Sequence, residues 1–245
     1  MKDKIMLISG CSNAAGFEIN GIEDCEYNRQ NSFGNLLAQK LDRKPINIAM
    51  GAQSNNAVAR SVLSWFDTEY DSNKHDVFVL VAWTESARMD IPYSPPVDYA
   101  NPGADWYCEN NKHFININPG IVLQEWMSDK EKTYTHDVQM FMTQYGEYTE
   151  MVSWINVIML QNFFKARNIS YLMCNTMHMF DYNMTSSIYK SMVDEQYYYN
   201  MMDNDNAFYW YYRNLGYENP KAKYWHHNEV PHQLYAEQLH QFLIR

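Results

Sequence analysis

Short apolar runs alternate with segments of helical periodicity along much of the chain. Brief runs rich in Val, Ile and Leu are typical of buried strands. The segment Ser32–Leu41 spaces its apolar residues three and four apart, and a similar segment follows the helix-cap candidates Ser54 and Asn55. The predicted strands are Lys4–Ser9, Ile46–Met50, Val77–Trp83 and Ile169–Cys174. This alternation predicts an α/β fold, a three-layer α/β/α sandwich around a central parallel sheet of the flavodoxin-like type.

The pattern after the third predicted strand is less regular. Residues 90–132 are rich in Pro, Asn and Gly and are too long for an ordinary connection, so we expect an insertion or lid there. Apolar periodicity predicts one long helix over His136–Arg167 and another over Pro231–Leu243. The aromatic-rich residues 176–225 predict short helices and loops. We expect a single domain over residues 1–245.

Composition and charge narrow the classes of function. With 46% hydrophobic residues and only 9 Gly and 8 Pro among 245 residues, the chain can bury a sizeable core. Its 29 acidic and 19 basic residues give a net charge of −10, which repels nucleic acid. No apolar stretch is long enough to cross a bilayer, so no membrane partner is expected. The 4 Cys form no C-x-x-C pair, so neither a zinc knuckle nor a disulfide framework is predicted.

Aromatic residues are unusually frequent, with 20 Tyr and 7 Trp. The clusters Tyr197–Tyr199 and Phe208–Tyr212 could line a sugar-binding groove or a protein interface. Packing inside the domain is the competing interpretation. A protein partner that binds through this aromatic-rich region is therefore one expectation among two.

Candidate chemistry lies where the predicted strands end, because loops and helix N-termini converge at the carboxyl edge of a parallel sheet. Ser12 follows the first strand in a turn that begins at Gly10, and Gly51 follows the second. His226 lies far along the chain. A serine in a tight turn, nearby backbone N–H groups and a histidine from a distant loop are the parts of a serine acyl-transfer site, which needs no cofactor.

These segments resemble the SGNH (GDSL-like) hydrolase family, and in particular its divergent members in tailed bacteriophage genomes. Gly10–Asn13 is similar to the first sequence block of the family, with the nucleophilic serine at Ser12 and Cys11 in place of an Asp. Asn47–Gly51 is similar to the second block, whose glycine donates its N–H to the oxyanion hole. His226–His232 resembles the last block, in which the catalytic histidine precedes a second histidine by six residues.

The resemblance implies specific roles for a few residues. Ser12 and His226 would be catalytic, and the backbone N–H groups of Ser12 and Gly51 would form the oxyanion hole. The pocket would further include Asn13, Asn55, Glu85, Arg88 and His227.

Two positions depart from the family pattern. Glu85 stands where the family has an oxyanion-binding Asn, and an ionised carboxylate cannot donate a hydrogen bond. Lys223 stands where the family has the Asp that orients the histidine, so Asp203, Asp205 or Glu229 would have to take its place.

Other ligands are less well supported by the sequence. His226, His227 and His232 could hold a metal ion, but no Asp, Glu or Cys at a characteristic spacing completes a site, so no metal is expected. The segment from Gly10 to Gly16 lacks the Lys-Ser/Thr of a phosphate-binding loop and the Gly-x-Gly of a dinucleotide fingerprint.

The sequence thus leaves two functional hypotheses. The first is an SGNH-type serine esterase or carbohydrate O-deacetylase, of weak or no activity because of Glu85, that acts on a small ester or an acetylated sugar. The alternative is a non-enzymatic phage virion component or host-factor-binding protein with a degenerate SGNH fold. The expected location is the cytoplasm, of the host cell if the chain is phage-encoded, or else the virion.

Overall fold

The computed structural model describes residues 2–92, 114–117, 129–177, 188–201 and 207–245. A five-stranded parallel sheet with strand order β2-β1-β3-β6-β7 forms its centre. A separate antiparallel pair consists of β4 and β5. The strands are β1 (Asp3–Gly10), β2 (Lys44–Asn47), β3 (His75–Trp83), β4 (Met89–Pro92), β5 (Phe114–Ile117), β6 (Ser170–Asn175) and β7 (Tyr198–Tyr199).

Helices cover both faces of the central sheet. They are α1 (Ser12–Ala15), α2 (Glu26–Gln30), α3 (Phe33–Lys40), α4 (Asn55–Thr68), α5 (Asp129–Gln144), α6 (Gly146–Ala166), α7 (Phe208–Asn214) and α8 (Glu229–Leu243), with a 3₁₀ turn at Glu195–Tyr197. Helices α3 and α8 begin after the capping residues Ser32 and Asn228, whose side chains accept backbone N–H groups of the first turn.

The side chains on the two faces of β1 pack into two separate hydrophobic cores. Ile5 and Leu7 pack in the core formed with α4 and α6, whereas Met6 and Ile8 pack in the core formed with α3, α7 and α8. This alternation follows from the two-residue period of a strand. The three-layer α/β/α arrangement predicted from the sequence is therefore confirmed.

All four predicted strands belong to the parallel sheet, with one shift in position. The second strand spans Lys44–Asn47 and not Ile46–Met50. The Asn47 side chain bonds to the carbonyl of Ala14 and accepts the Ala49 N–H, which draws the chain out of the regular ladder. The N–H of Met50 still bonds to the Gly10 carbonyl at 3.1 Å, so this segment continues beside β1.

The single helix predicted over His136–Arg167 is wrong. The chain forms α5 and α6 instead, and they are separated at Tyr145, whose φ and ψ of −120° and 49° are not helical. Gly146 then begins α6, and the hydroxyl of Thr149 donates to its carbonyl at 2.9 Å. Apolar periodicity continues across this junction, which is why the sequence pattern did not reveal it.

The two irregular regions are described only in part. Within residues 90–132 the structure describes the end of β4, all of β5 and the start of α5, so the lid remains a prediction. Within residues 176–225 it describes a fifth strand, β7, which the sequence pattern did not predict. Phe208, Tyr209 and Tyr212 are buried. These three rings therefore pack in the interior, and the expected protein partner stays a prediction.

The strand order reverses direction at the carboxyl end of β1. From β1 the chain passes through α1–α3 on one face to β2, and then through α4 on the opposite face to β3. Ligands of open α/β sheets bind at such a reversal of strand order. Ser12 lies at this point. Among the described helices, none is both long and apolar enough to cross a membrane.

We predict that Gly10→Ala destabilises the fold. A Cβ on Gly10 would lie 2.7 Å from both the Ala14 Cβ and the Ala82 carbonyl oxygen, so β1 or α1 would have to move. The expected loss is about 1–3 kcal/mol of unfolding free energy, measured by denaturant titration. Gly146→Ala is the matched control, because a Cβ there meets nothing within 4 Å. Equal stability of the two variants would contradict the prediction.

Candidate active site

Ser12 is the first residue of the one-turn helix α1. Its predecessor Cys11 is extended, and the N–H groups of Ala14 and Ala15 bond to the Cys11 carbonyl at 3.0 Å. The Cys11 thiol lies 3.3 Å from the hydroxyl of Thr176 at the end of β6. The turn that carries the Ser12 hydroxyl is therefore attached to the ends of both β1 and β6.

His226 reaches Ser12 from the loop before α8. Its Nε2 lies 2.9 Å from Ser12 Oγ, although the two residues are 214 positions apart. The carbonyl of His226 accepts the N–H of Asn219 at 3.1 Å, which fixes the backbone of the loop. The structure therefore brings together the serine and the histidine singled out in the sequence.

A buried carboxylate, Glu18, lies behind the histidine. Its Oε2 is 2.7 Å from Nδ1 of His226, and it also accepts the backbone N–H groups of Lys223 at 2.7 Å and Tyr224 at 2.9 Å. Because an ionised carboxylate only accepts, Nδ1 carries the proton and Nε2 is free to accept the Ser12 hydroxyl. Ser12, His226 and Glu18 form a continuous hydrogen-bonded triad.

The backbone around Glu18 explains how an acid so close to Ser12 in sequence can reach the far side of the imidazole. Glu18 has a φ of 60°, in the left-handed region that residues with a Cβ seldom adopt. Its N–H bonds to the carbonyls of Ile22 and Glu23, and its carbonyl accepts the Asn219 side chain at 2.6 Å. These bonds hold the reversed chain in place.

The acids proposed from the sequence to orient His226 are not the ones found there. Glu229 bonds to the Tyr27 hydroxyl on the surface, so its assignment was wrong. Asp203 and Asp205 lie outside the described residues. The sequence shows only that Glu18 lies six residues after Ser12, and the reversal of its backbone cannot be predicted from that spacing.

Burial sets the charge of the histidine. Desolvation lowers the pKa of His226, and the nearby Arg88 charge acts in the same direction, while the hydrogen bond to Glu18 opposes them. The neutral imidazole is therefore favoured near neutral pH. A neutral histidine with a free Nε2 is the form that can accept a proton from serine.

Of the two predicted oxyanion donors, Ser12 belongs to the triad and Gly51 lies against the same aromatic ring as His226. A Cβ on Gly51 would lie 2.6 Å from the Phe17 ring, whose centroid is 6.1 Å from that of His226. Within the described part of the chain, the backbone N–H groups of Ser12 and Gly51 bond to no acceptor. The oxyanion hole formed by these two groups stays a prediction.

Glu85 is paired with a cation. Its carboxylate accepts Nε of Arg88 at 3.2 Å, and Arg88 Nη2 contacts the sulfur of Met177 at 3.3 Å. The Arg88 side chain is only 12% exposed, compared with 30% for Glu85. Any effect of the Glu85 charge is therefore accompanied by a positive charge on its neighbour.

The other predicted pocket residues serve different purposes. Asn55 bonds to the backbone of Thr84 and to the Ser153 hydroxyl, so it joins α4 to β3 and α6 and is not free to bind a ligand. His227 has both ring nitrogens on backbone carbonyls, those of Tyr209 at 2.9 Å and Tyr217 at 3.2 Å. The side chains of both residues bond within the protein, and their place in a pocket stays a prediction.

Asn13 and the histidines were the remaining candidates. Asn13 is buried beside Ser12, and its Oδ1 has no hydrogen-bond partner among the residues that the structure describes. The ring of His232 accepts the Phe33 N–H through Nδ1 at 3.1 Å. With His226 and His227 also bonded elsewhere, the three imidazoles do not converge on one point, and the described residues contain no cluster of three metal-ligating side chains.

Comparisons with known proteins give likenesses among solved structures. No family model matches the chain, and no curated protein does. One similar structure is a carbohydrate esterase described as having divergent catalytic and non-catalytic binding functions in its active site. It has 12% identity and a TM-score of 0.46, and the match covers 100% of this chain and 65% of that one.

Two further solved structures are similar. The psychrotrophic esterase EstA from Pseudoalteromonas sp. has 11% identity and a TM-score of 0.45, with 99% of this chain and 97% of that chain covered. A carbohydrate esterase family 2 enzyme with a carbohydrate-binding domain, from Corynascus thermopiles (Myceliophthora fergusii), has 10% identity and a TM-score of 0.42, with 98% and 65% covered. At such low identity the likeness concerns the fold.

We predict that stability falls as the pH drops below about 6.5. Burial lowers the pKa of His226, His227 and His232 in the folded state. The unfolded chain then binds these protons first, so acid favours unfolding. Denaturant titrations at about pH 7.5 and 5.5 should show this loss. His232→Gln should make this loss of unfolding free energy smaller. An unchanged pH dependence of stability in that variant would contradict the lowered pKa of His232 as one of its causes.

Proposed function

We propose that the protein is a serine esterase that removes short acyl groups from alcohols, with Ser12 as nucleophile. The observation that carries the proposal is the unbroken chain of hydrogen bonds from Ser12 through His226 to Glu18, at 2.9 Å and 2.7 Å. Nucleophile, base and orienting acid within hydrogen-bond reach are the parts that this chemistry requires.

Acylation begins with the attack of Ser12 Oγ on the ester carbonyl carbon, while the serine proton passes to Nε2 of His226. The carbonyl electron pair moves onto oxygen, and the N–H groups of Ser12 and Gly51 bind the resulting oxyanion. Collapse of this intermediate breaks the bond to the alcohol oxygen. His226 returns its proton to that oxygen, and the alcohol leaves.

Deacylation repeats these steps with water. His226 takes a proton from water as the water oxygen attacks the acyl-serine, and then returns it to Ser12 Oγ when the acid departs. Glu18 keeps its hydrogen bond to Nδ1 and stabilises the imidazolium that forms twice in each cycle. The net reaction is ester plus water to carboxylic acid plus alcohol.

An O-acetylated sugar is the proposed substrate class. Aromatic rings stack well on the apolar faces of sugars, and the loop that carries His226 also presents Tyr224 and Trp225, which are 45% and 63% exposed. These rings are next to the triad in sequence. Their position supports a carbohydrate over a long acyl chain.

The competing proposal is a non-enzymatic phage virion component or host-factor-binding protein. Glu85 in place of an oxyanion-binding Asn is the observation in its favour. The complete triad favours the esterase, because a site that no longer acts would not need Glu18 to bond three N–H groups around His226.

We expect Ser12→Ala to abolish hydrolysis of a short acyl ester such as p-nitrophenyl acetate, because no other described hydroxyl is bonded to His226. Labelling by a fluorophosphonate probe should disappear with it. Ser191→Ala is the control, since that hydroxyl bonds only locally to the Ile188 carbonyl. Undiminished hydrolysis by the Ser12→Ala protein would exclude Ser12 as the nucleophile.

We expect Glu18→Gln to lower kcat by a factor on the order of 10³–10⁴, as loss of the orienting acid does in other triads. The amide cannot stabilise the imidazolium, so the pKa of His226, followed by NMR, should fall further. Glu237→Gln is the control, because Glu237 pairs with Lys40 on the surface. A folded Glu18→Gln protein with normal kcat and an unchanged His226 pKa would refute this role.

A further inference from the structure

We propose that Arg88 stabilises the oxyanion in place of the amide found in the resembling family, and that Glu85 holds Arg88 in position for this. The inference rests on the proposed esterase function and adds two residues to it. Glu85, which seemed from the sequence to repel a developing negative charge, becomes a positioning residue. Arg88 becomes a catalytic residue that contacts the reacting oxygen.

Arg88 contacts a residue just after β6, next to one that contacts the nucleophile turn. Its Nη2 lies 3.3 Å from the sulfur of Met177, which directly follows Thr176. The Thr176 hydroxyl in turn lies 3.3 Å from the thiol of Cys11, the residue before Ser12. Arg88 is thus linked to the nucleophile turn through two adjacent residues at the end of β6.

The guanidinium has hydrogen-bonding capacity to spare. It carries five N–H donors, of which Glu85 takes the one on Nε and Met177, a weak acceptor, takes one on Nη2. Among the described residues, Nη1 of Arg88 has no acceptor. A largely buried cation with free donors is suited to an anion that forms during the reaction.

The register of the sheet brings the loop that carries Arg88 to the nucleophile turn, because Ala82 near the end of β3 pairs with Gly10 at the end of β1. In agreement with this placement, the positive charge of Arg88 acts to lower the pKa of His226. The same charge that disfavours a second cation on the imidazole favours a negative charge on the substrate oxygen. The ion pair with Glu85 fixes the guanidinium through Nε and leaves its other N–H groups able to donate to a ligand.

Glu85 and Arg88 are three residues apart in the loop between β3 and β4. A carboxylate at position 85 cannot donate to an oxyanion, but it can accept from Nε and so select one orientation of the planar guanidinium. With Glu85 in place of the Asn of the resembling family, a neutral amide donor is replaced by the cationic guanidinium of Arg88, which Glu85 holds in position. Removal of the Glu85 charge should therefore harm the reaction and not improve it.

The test compares Arg88→Gln, Arg88→Lys and Glu85→Gln with the wild type. The control is Arg43→Gln, which breaks another partly buried pair, with Asp76 near the start of β3. Three quantities are measured for each folded variant: kcat and KM for p-nitrophenyl acetate, and the inhibition constant of phenylboronic acid, which forms a tetrahedral anion on a reactive serine. Circular dichroism establishes that each variant is folded.

We expect Arg88→Gln to lower kcat by a factor on the order of 10²–10³ and to weaken boronate inhibition in parallel, with little change in KM. Arg88→Lys should keep part of both effects, because it keeps the charge. Glu85→Gln should lower kcat by about tenfold, since a misoriented guanidinium costs part of the stabilisation. Arg43→Gln should match the wild type.

Two results would contradict this inference without contradicting the proposed esterase function. One is an active protein in which Arg88→Gln changes neither kcat nor boronate inhibition, and the other is a Glu85→Gln variant that gains activity. A wild-type protein that neither hydrolyses the ester nor binds boronate through Ser12 would instead overturn the proposed function, and this inference with it. A parallel loss of kcat in Arg88→Gln and Glu85→Gln would establish both roles.

Discussion

The three hydrogen bonds accepted by the Glu18 carboxylate join the two halves of the site. They tie the segment after β1 to the loop before α8 through the N–H groups of Lys223 and Tyr224 and through the His226 ring. A carboxylate that is 2% exposed would be costly without such partners. The burial of Glu18 therefore requires that the His226 loop adopt this conformation, and that conformation sets the position of the imidazole against Ser12.

The supporting structure around Glu18 is polar as well as apolar. Arg29 and Asp24 form a buried ion pair at 2.8 Å, and Arg29 also bonds to the carbonyls of Asn47 and Ala49. The segment after α1 is thereby tied to the chain that leads to Gly51. On the other side, Asn219 bonds to the carbonyls of Glu18 and Ile19. Together, these bonds hold the reversed backbone at Glu18 in place.

The sequence predicts the sheet far better than it predicts the site. Runs such as Val77–Trp83 are apolar because both faces of a central strand are covered, so their pattern carries the fold directly. Ser12 and His226 could be chosen because turn and loop positions at the carboxyl edge are set by the same alternation. Glu18 could not, since its role depends on a left-handed φ and on contacts 208 positions away. A polar residue near a site looks the same in sequence whether it binds a ligand or the protein itself, and Asn55 and His227 bond within the protein.

The order of the three triad residues along the chain affects when the site can form. The nucleophile and its acid lie within the first 18 residues, whereas the histidine is 208 positions beyond the acid. During synthesis, Ser12 therefore leaves the ribosome long before its hydrogen-bond partner His226. The contact between the two side chains can form only after the loop before α8 has been made and packs over Glu18.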